Sequence, residues 1–141
     1  MRWLLTVAML IVGGILASAS LIVARKPNAK ELIDKLTPYQ GWIGIALFLG
    51  GIVDTFFLIR YIGAMFQASV LLSIFYIIAV PTELLIGFLL GFGLITKYAL
   101  SKNETAMAKG QAMRAKLAPI QGILGLMSII VGVIYFVLCI I

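Results

Sequence analysis

Apolar residues run almost without interruption over four stretches: roughly Trp3 to Ala24, Pro38 to Ile59, Val70 to Lys97 and Pro119 to Ile141. Each is long enough to cross a hydrocarbon core of roughly 30 Å as a helix. Backbone polar groups in lipid must be satisfied internally, which leaves helices or a closed barrel. The runs are continuous and do not alternate, so they predict helices. Arg25-Lys26-Pro27 ends the first, because proline disfavours helix in the residue before it. Asn28 and Glu31 follow at capping-box spacing. Ala29, Leu32, Ile33 and Leu36 then share one face of a short amphipathic helix, expected on the membrane surface. Thr37-Pro38 opens the second run with a cap and a proline at the first helical position. The stretch from Arg60 to Ser69, with its Arg60, Gly63, Gln67 and Ser69, is the expected hairpin turn. The third run is long for one span and holds Pro81. A kink or tilt there accommodates a single helix, and the competing parse breaks it into two short spans at Pro81-Thr82-Glu83.

The phrase Lys35-Leu36-Thr37-Pro38-Tyr39-Gln40-Gly41-Trp42-Ile43-Gly44 returns as Lys116-Leu117-Ala118-Pro119-Ile120-Gln121-Gly122-Ile123-Leu124-Gly125, and Gly51 returns as Gly132. Six residues recur in register where a polar segment gives way to an apolar one. Chance does not preserve such a register, so the chain reads as an internal duplication, repeat 1 covering residues 1–60 and repeat 2 residues 70–141. Each repeat is a helical hairpin around a basic segment. Both hairpins start on the same face, which makes the repeats parallel, related by an axis along the membrane normal.

Charge sets the expected orientation. Of 11 basic residues, Arg25, Lys26, Lys30 and Lys35 lie in the first polar segment, and Lys97, Lys102, Lys109, Arg114 and Lys116 lie in or border the second. Basic loops stay in the cytoplasm, and two loops on one side need an even number of crossings between them. The fold expected is therefore an all-α integral membrane domain of four transmembrane helices, built as two parallel duplicated hairpins, with both termini outside. A bacterial inner membrane is the expected home. The start imitates a signal peptide, with a basic residue, an apolar stretch and small residues at Ala17-Ser18-Ala19. The apolar stretch continues to Ala24, so an uncleaved first helix is expected.

Composition changes the picture mainly by exclusion. The chain is 63% hydrophobic and 11% charged, where soluble domains carry about 25% charged residues. It has no histidine and one cysteine, Cys139. Haem, iron–sulfur clusters and zinc need histidine or clustered cysteine, so no cofactor or metal is expected. No histidine or paired carboxylate activates a nucleophile, and no enzyme is expected. Nucleic-acid binding has no motif support. Arg25, Lys26, Lys102, Lys109, Arg114 and Lys116 are expected to meet anionic lipid headgroups, each contributing about 1 kcal/mol near the surface.

Three groups of residues remain as candidates. Gly41, Gly44, Gly51, Gly122, Gly125 and Gly132, with Gly87 and Gly91 in the third run, fall at spacings that line one helix face, where small residues let helices approach. Gln40 and Gln121 stand just inside each repeated helix start, able to bond first-turn N–H groups, each other, or headgroups. Asp54 and Glu83 lie within apolar runs, where an ionised acid costs about 2.5–3.5 kcal/mol. Arg60 is the partner considered for Asp54, provided the hairpin folds it back. Glu83 follows Pro81, whose ring frees the carbonyl of Ile77, and is either an ion site or a protonated side chain bonded to a neighbouring helix. Two functions follow. One is a non-catalytic accessory subunit that packs through its glycine faces into a homo-oligomer or larger membrane complex. The other is a small proton- or cation-linked channel or carrier using Glu83 and Asp54. A lesser third is an assembly factor recruited through the basic segments.

Overall fold

The computed structural model describes residues 2–96 and 102–141, apart from the side chains of Ser20, Leu36, Thr37 and Gly93. The described residues are all-helical, in the order α1 (Arg2–Ala17), α2 (Ala19–Arg25), α3 (Ala29–Leu36), α4 (Gln40–Ala68), α5 (Val70–Ile95), α6 (Glu104–Leu117) and α7 (Gln121–Ile140). Among the described residues, three stretches are long and apolar enough to cross a membrane: Gln40–Ala68, Val70–Phe92 and the one that ends with α7 at Ile140. The first predicted span divides at Ser18 into α1 and α2. Helical hydrogen bonding carries through the division, with the Ser18 N–H on the Gly14 carbonyl at 2.9 Å and the Ile22 N–H on the Ser18 carbonyl at 3.0 Å. The Ser18 hydroxyl adds a second bond to Gly14, at 2.6 Å, a back-bond of the kind that bends helices. The break is a kink, and α1 with α2 follows the predicted run.

Two expectations need correction. The stretch from Arg60 to Ser69 is not a loop: α4 continues to Ala68 and only Ser69 leaves the helix, with extended backbone at φ −162° and ψ 116°. Ser69 ends one helix and starts the next. Its N–H closes α4 on the Met65 carbonyl at 2.9 Å, and its hydroxyl accepts the Leu72 N–H at 3.3 Å as an N-cap for α5. Glycine and arginine are tolerated inside a helix, so polarity alone overstated the turn. The second basic segment is likewise not a loop from Glu104 onward. α6 is capped by Asn103, whose side chain accepts the Ala106 N–H at 3.1 Å, and a 3-10 turn over Ala118–Ile120 joins it to α7. Lys97 lies outside the described residues. At Pro81 the single-helix parse holds: α5 runs through it, and the Thr82 hydroxyl bonds the Ile78 carbonyl at 2.8 Å.

Helices pack mainly as two pairs, α4 on α5 and α1 on α7. The glycines explain how close each pair comes. A Cβ at Gly44 would strike the backbone of Leu90 and Gly91, and one at Gly87 the backbone of Phe48. A Cβ at Gly14 would lie 2.6 Å from the Gly125 carbonyl oxygen, and one at Gly125 lies 2.7 Å from the Gly14 oxygen. Gly51 faces Leu84, Gly132 faces Leu10 and Ile11, Gly41 faces Leu94 and Gly122 faces Leu21. All eight predicted packing glycines thus meet partners inside the chain. Leu16, Ala17, Leu47, Ile86 and Leu90 form an apolar cluster where the pairs meet toward the basic end.

Candidate functional site

Asp54 stands about 21 Å along α4 from Gln40, and Glu83 about 18 Å along α5 from Ile95, at 1.5 Å rise per residue. Antiparallel packing of α4 on α5 therefore brings the two acids to one level. Both are buried, Asp54 at 3% and Glu83 at 2% exposure. Asp54 is fully engaged. The Arg2 guanidinium forms an ion pair with its Oδ1, the Thr6 hydroxyl donates to its Oδ2 at 3.0 Å, and the Tyr76 hydroxyl makes a long contact of 3.5 Å with its backbone carbonyl. Arg2 also lies over the Phe57 ring, 4.2 Å from the centroid. It is the first described residue of α1, and α1 runs antiparallel to α4, so chain direction alone carries it to Asp54.

Glu83 is close enough to the Asp54 carboxyl to interact with it electrostatically, but its Oε2 has no hydrogen-bond partner among the described residues. Gly50 makes room for it: a Cβ there would lie 2.9 Å from Glu83 Oε1. Both acids line a cavity of about 420 Å³ between α1 and α4, with Arg2, Thr6, Met9 and Gly50. A second cavity of about 280 Å³ adjoins it through Arg2, Thr6 and Asp54 and is walled by Phe57, Tyr61, Tyr76 and Tyr135. The cluster holds one cation and two acids. It is electrically neutral when one carboxyl carries a proton or when a further cation enters.

The other sequence candidates fall elsewhere. Arg60 does not reach Asp54; its guanidinium lies 5.7 Å from the Tyr61 ring centroid. Gln121 donates to the Ala17 carbonyl at 3.4 Å, tying α7 to the kink in α1, while Gln40 starts α4, half-buried. Arg25, Lys26, Lys102, Lys109 and Lys116 are exposed on the basic segments. Arg114 is exposed too, yet its guanidinium sits 5.1 Å from the Phe92 centroid at the end of α5. Sequence reasoning missed Arg2 and Thr6. A signal for Arg2 was present: of 11 basic residues, only Arg2 and Arg60 lie away from the two basic segments. Arg2 begins the first run, at the end where the second run carries Asp54. Thr6 had no comparable signal.

These features define a helical membrane protein with a buried acid–arginine cluster in an interhelical cavity. Comparison with protein-family models, curated proteins and solved structures finds no match to the chain.

Proposed function

We propose that this chain is a small proton- or cation-linked membrane carrier or channel, with Glu83 as its working carboxyl and the Arg2–Asp54 pair as fixed neighbours. One observation carries the reading: a buried carboxyl with a free oxygen lines an interhelical cavity, on an apolar helix, beside a second acid already neutralised by arginine. Intramembrane acids in such positions mark ion or proton pathways. Reconstitution in liposomes under an imposed pH gradient tests it. Flux reported by an internal pH dye is expected to fall to the level of protein-free vesicles in Glu83→Gln. Flux equal to that of the unsubstituted protein would remove the reading.

The proposed arrangement is four spans in two parallel hairpins in a bacterial inner membrane, basic segments cytoplasmic and termini outside. The pairing of glycines supports the duplication. Gly44 meets Gly91 of α5 as Gly125, its counterpart in the other repeat, meets Gly14 of α1. The helical hydrogen bonding through Ser18 supports counting α1 with α2 as the fourth span. Single-cysteine labelling in intact cells and in inverted vesicles tests the arrangement: residues near Lys30 and Lys109 react from the cytoplasmic side and Gly63 from the other. Labelling of the two basic segments from opposite sides would overturn it.

A second reading is a non-catalytic accessory subunit of an oligomer or larger membrane complex. It is favoured by the outer part of α4, where Arg60, Tyr61, Ile62, Gly63 and Ala64 are all exposed. Five successive residues cover more than a full helical turn, so the other described helices leave α4 largely uncovered there. Blue-native electrophoresis from mild detergent separates the readings: the accessory subunit migrates in a larger assembly, whereas a clean monomer that transports removes it.

A further inference from the structure

We propose that the cavity between α1 and α4 binds an apolar monovalent organic cation, with its charge against Glu83 and its body against Leu5, Met9, Ala46, Leu49 and Val53. This rests on the proposed transport reading and names the substrate class of that site.

Four observations converge. First, the cavity wall is mostly hydrocarbon, and its polar groups are few: Arg2, Thr6, Asp54 and Glu83. A small inorganic ion must exchange its water shell for a set of oxygen ligands. Here the Thr6 hydroxyl and the Asp54 carboxylate are already bonded to each other and Asp54 is also paired with Arg2, which leaves the Glu83 carboxyl without enough companions to replace a hydration shell. An alkyl or aryl ammonium needs only one counter-charge, because apolar contact supplies the rest. Second, one oxygen of the carboxyl is unpaired. Glu83 Oε2 is buried and without a donor, and the nearest positive charge, Arg2, is occupied by Asp54. Third, the volume of about 420 Å³ falls in the range of small-molecule pockets, roughly 300–1,000 Å³. Fourth, the mouth opens sideways. Leu5, Leu49 and Val53 line the cavity and are themselves exposed, Leu5 at 68%, so an apolar cation can approach between α1 and α4 from the lipid. Met9 of the cavity wall packs in turn against the cluster of Leu16, Leu47, Ile86 and Leu90.

The exchange balances in charge. With Arg2 and Asp54 paired, a Glu83 carrying its proton leaves the cluster neutral. When the cation binds, that proton leaves for solvent, and the carboxylate–cation pair is neutral again. The charged and titratable groups that face Glu83 are Arg2 from α1, Asp54 from α4 and Tyr76 from α5 itself. From α7, Tyr135 packs on Tyr76. Proton and cation therefore compete for one carboxyl, the linkage that an exchanger requires.

The probe is tetraphenylphosphonium, measured with the full chain in nanodiscs by equilibrium binding and by proton release into weak buffer. The expected result is saturable binding that releases about one proton per cation and weakens as pH falls. Glu83→Gln is expected to lose it. Because Glu83→Gln can disturb packing, Leu49→Trp serves as the second variant: it leaves the carboxyl in place, narrows the mouth and is expected to weaken binding of the bulky cation, and binding unchanged by it overturns the placement in this cavity. Binding that is equal in Glu83→Gln, or that releases no proton, overturns the assignment. Glu83-dependent proton flux with no phosphonium binding overturns the substrate class and leaves the transport reading standing. Absence of both removes both.

Discussion

Besides the contact of α1 with α5, two seams join the helix pairs, and they are built differently. At the α5–α7 seam the Tyr76 and Tyr135 rings lie 6.0 Å apart, tilted by 32°, within a cluster that includes Val7 and Val80, and Ala79 and Val131 pack with Leu10 nearby. At the α1–α4 seam the helices touch less and enclose the acid-lined cavity. Under the proposed duplication these seams are counterparts, and the register of the repeated phrase sets Tyr135 opposite Asp54 in the other copy. The glycine contacts within each pair match, while the seams between pairs do not. A duplicated hairpin can keep its packing geometry while one seam closes around an aromatic and the other opens around a carboxylate, because pair contacts depend on small residues and seam contacts on what fills the gap.

Six substitutions and one double variant break or sharpen that contrast, each followed by SDS titration of the micellar protein with far-UV circular dichroism. The largest effect is expected where the pairs touch. Gly44→Val and Gly125→Val each drive a side chain into opposing backbone and are expected to cost about 3 kcal/mol or more, at the upper end of overpacking. Gly63→Val, with nothing within 4 Å, is expected to stay within about 0.5 kcal/mol. Equal losses at all three sites would mean that close approach does not hold the pairs. Next comes Tyr135→Asp, which installs the acid of the open seam in the closed one. Without a second arginine it is expected to lose about 2.5–3.5 kcal/mol, the insertion cost of a central acid; a neutral result would show that the closed seam admits a donor or water.

Arg2→Ala probes the open seam. Removing one partner of a buried pair costs roughly 3–5 kcal/mol. The Arg2 side chain is half exposed, at 50%, and solvent screens exposed pairs, so about 2–3 kcal/mol is expected. The double variant Arg2→Ala/Asp54→Ala recovers part of that, because no charge is left unpaired. A double variant less stable than Arg2→Ala would show that the aspartate is held by something other than the arginine. The smallest effect belongs to Tyr76→Phe, which removes only the long 3.5 Å contact to Asp54 and is expected to cost under about 0.5 kcal/mol. A larger loss would make that hydroxyl the link between the seams.

Much of the fold was legible because hydrophobic length and proline punctuation act locally. The runs from Trp3, Pro38, Val70 and Pro119 reappear as α1 with α2, α4, α5 and α7, and the amphipathic spacing of Ala29 to Leu36 as α3. The turn within Arg60–Ser69 is narrower than its polar residues suggest, because one serine bonding both ways completes it. Glycine spacing announced close packing but not its partners. The acids were recognisable as costly residues in apolar runs, yet their grouping was not, since Asp54 and Glu83 belong to separate helices and their cation comes from the far end of a third.

The amino-acid sequence by itself determined the helical, lipid-compatible character of the chain, the positions of its apolar runs and the faces on which small residues fall, because each depends on residues a few positions apart. Only the tertiary structure decided that Arg2 and Thr6 hold Asp54, that Glu83 keeps a free oxygen, and that one seam stays open. Those outcomes depend on which helices end up side by side, and that follows from how closely backbones can approach at Gly14, Gly44, Gly91 and Gly125.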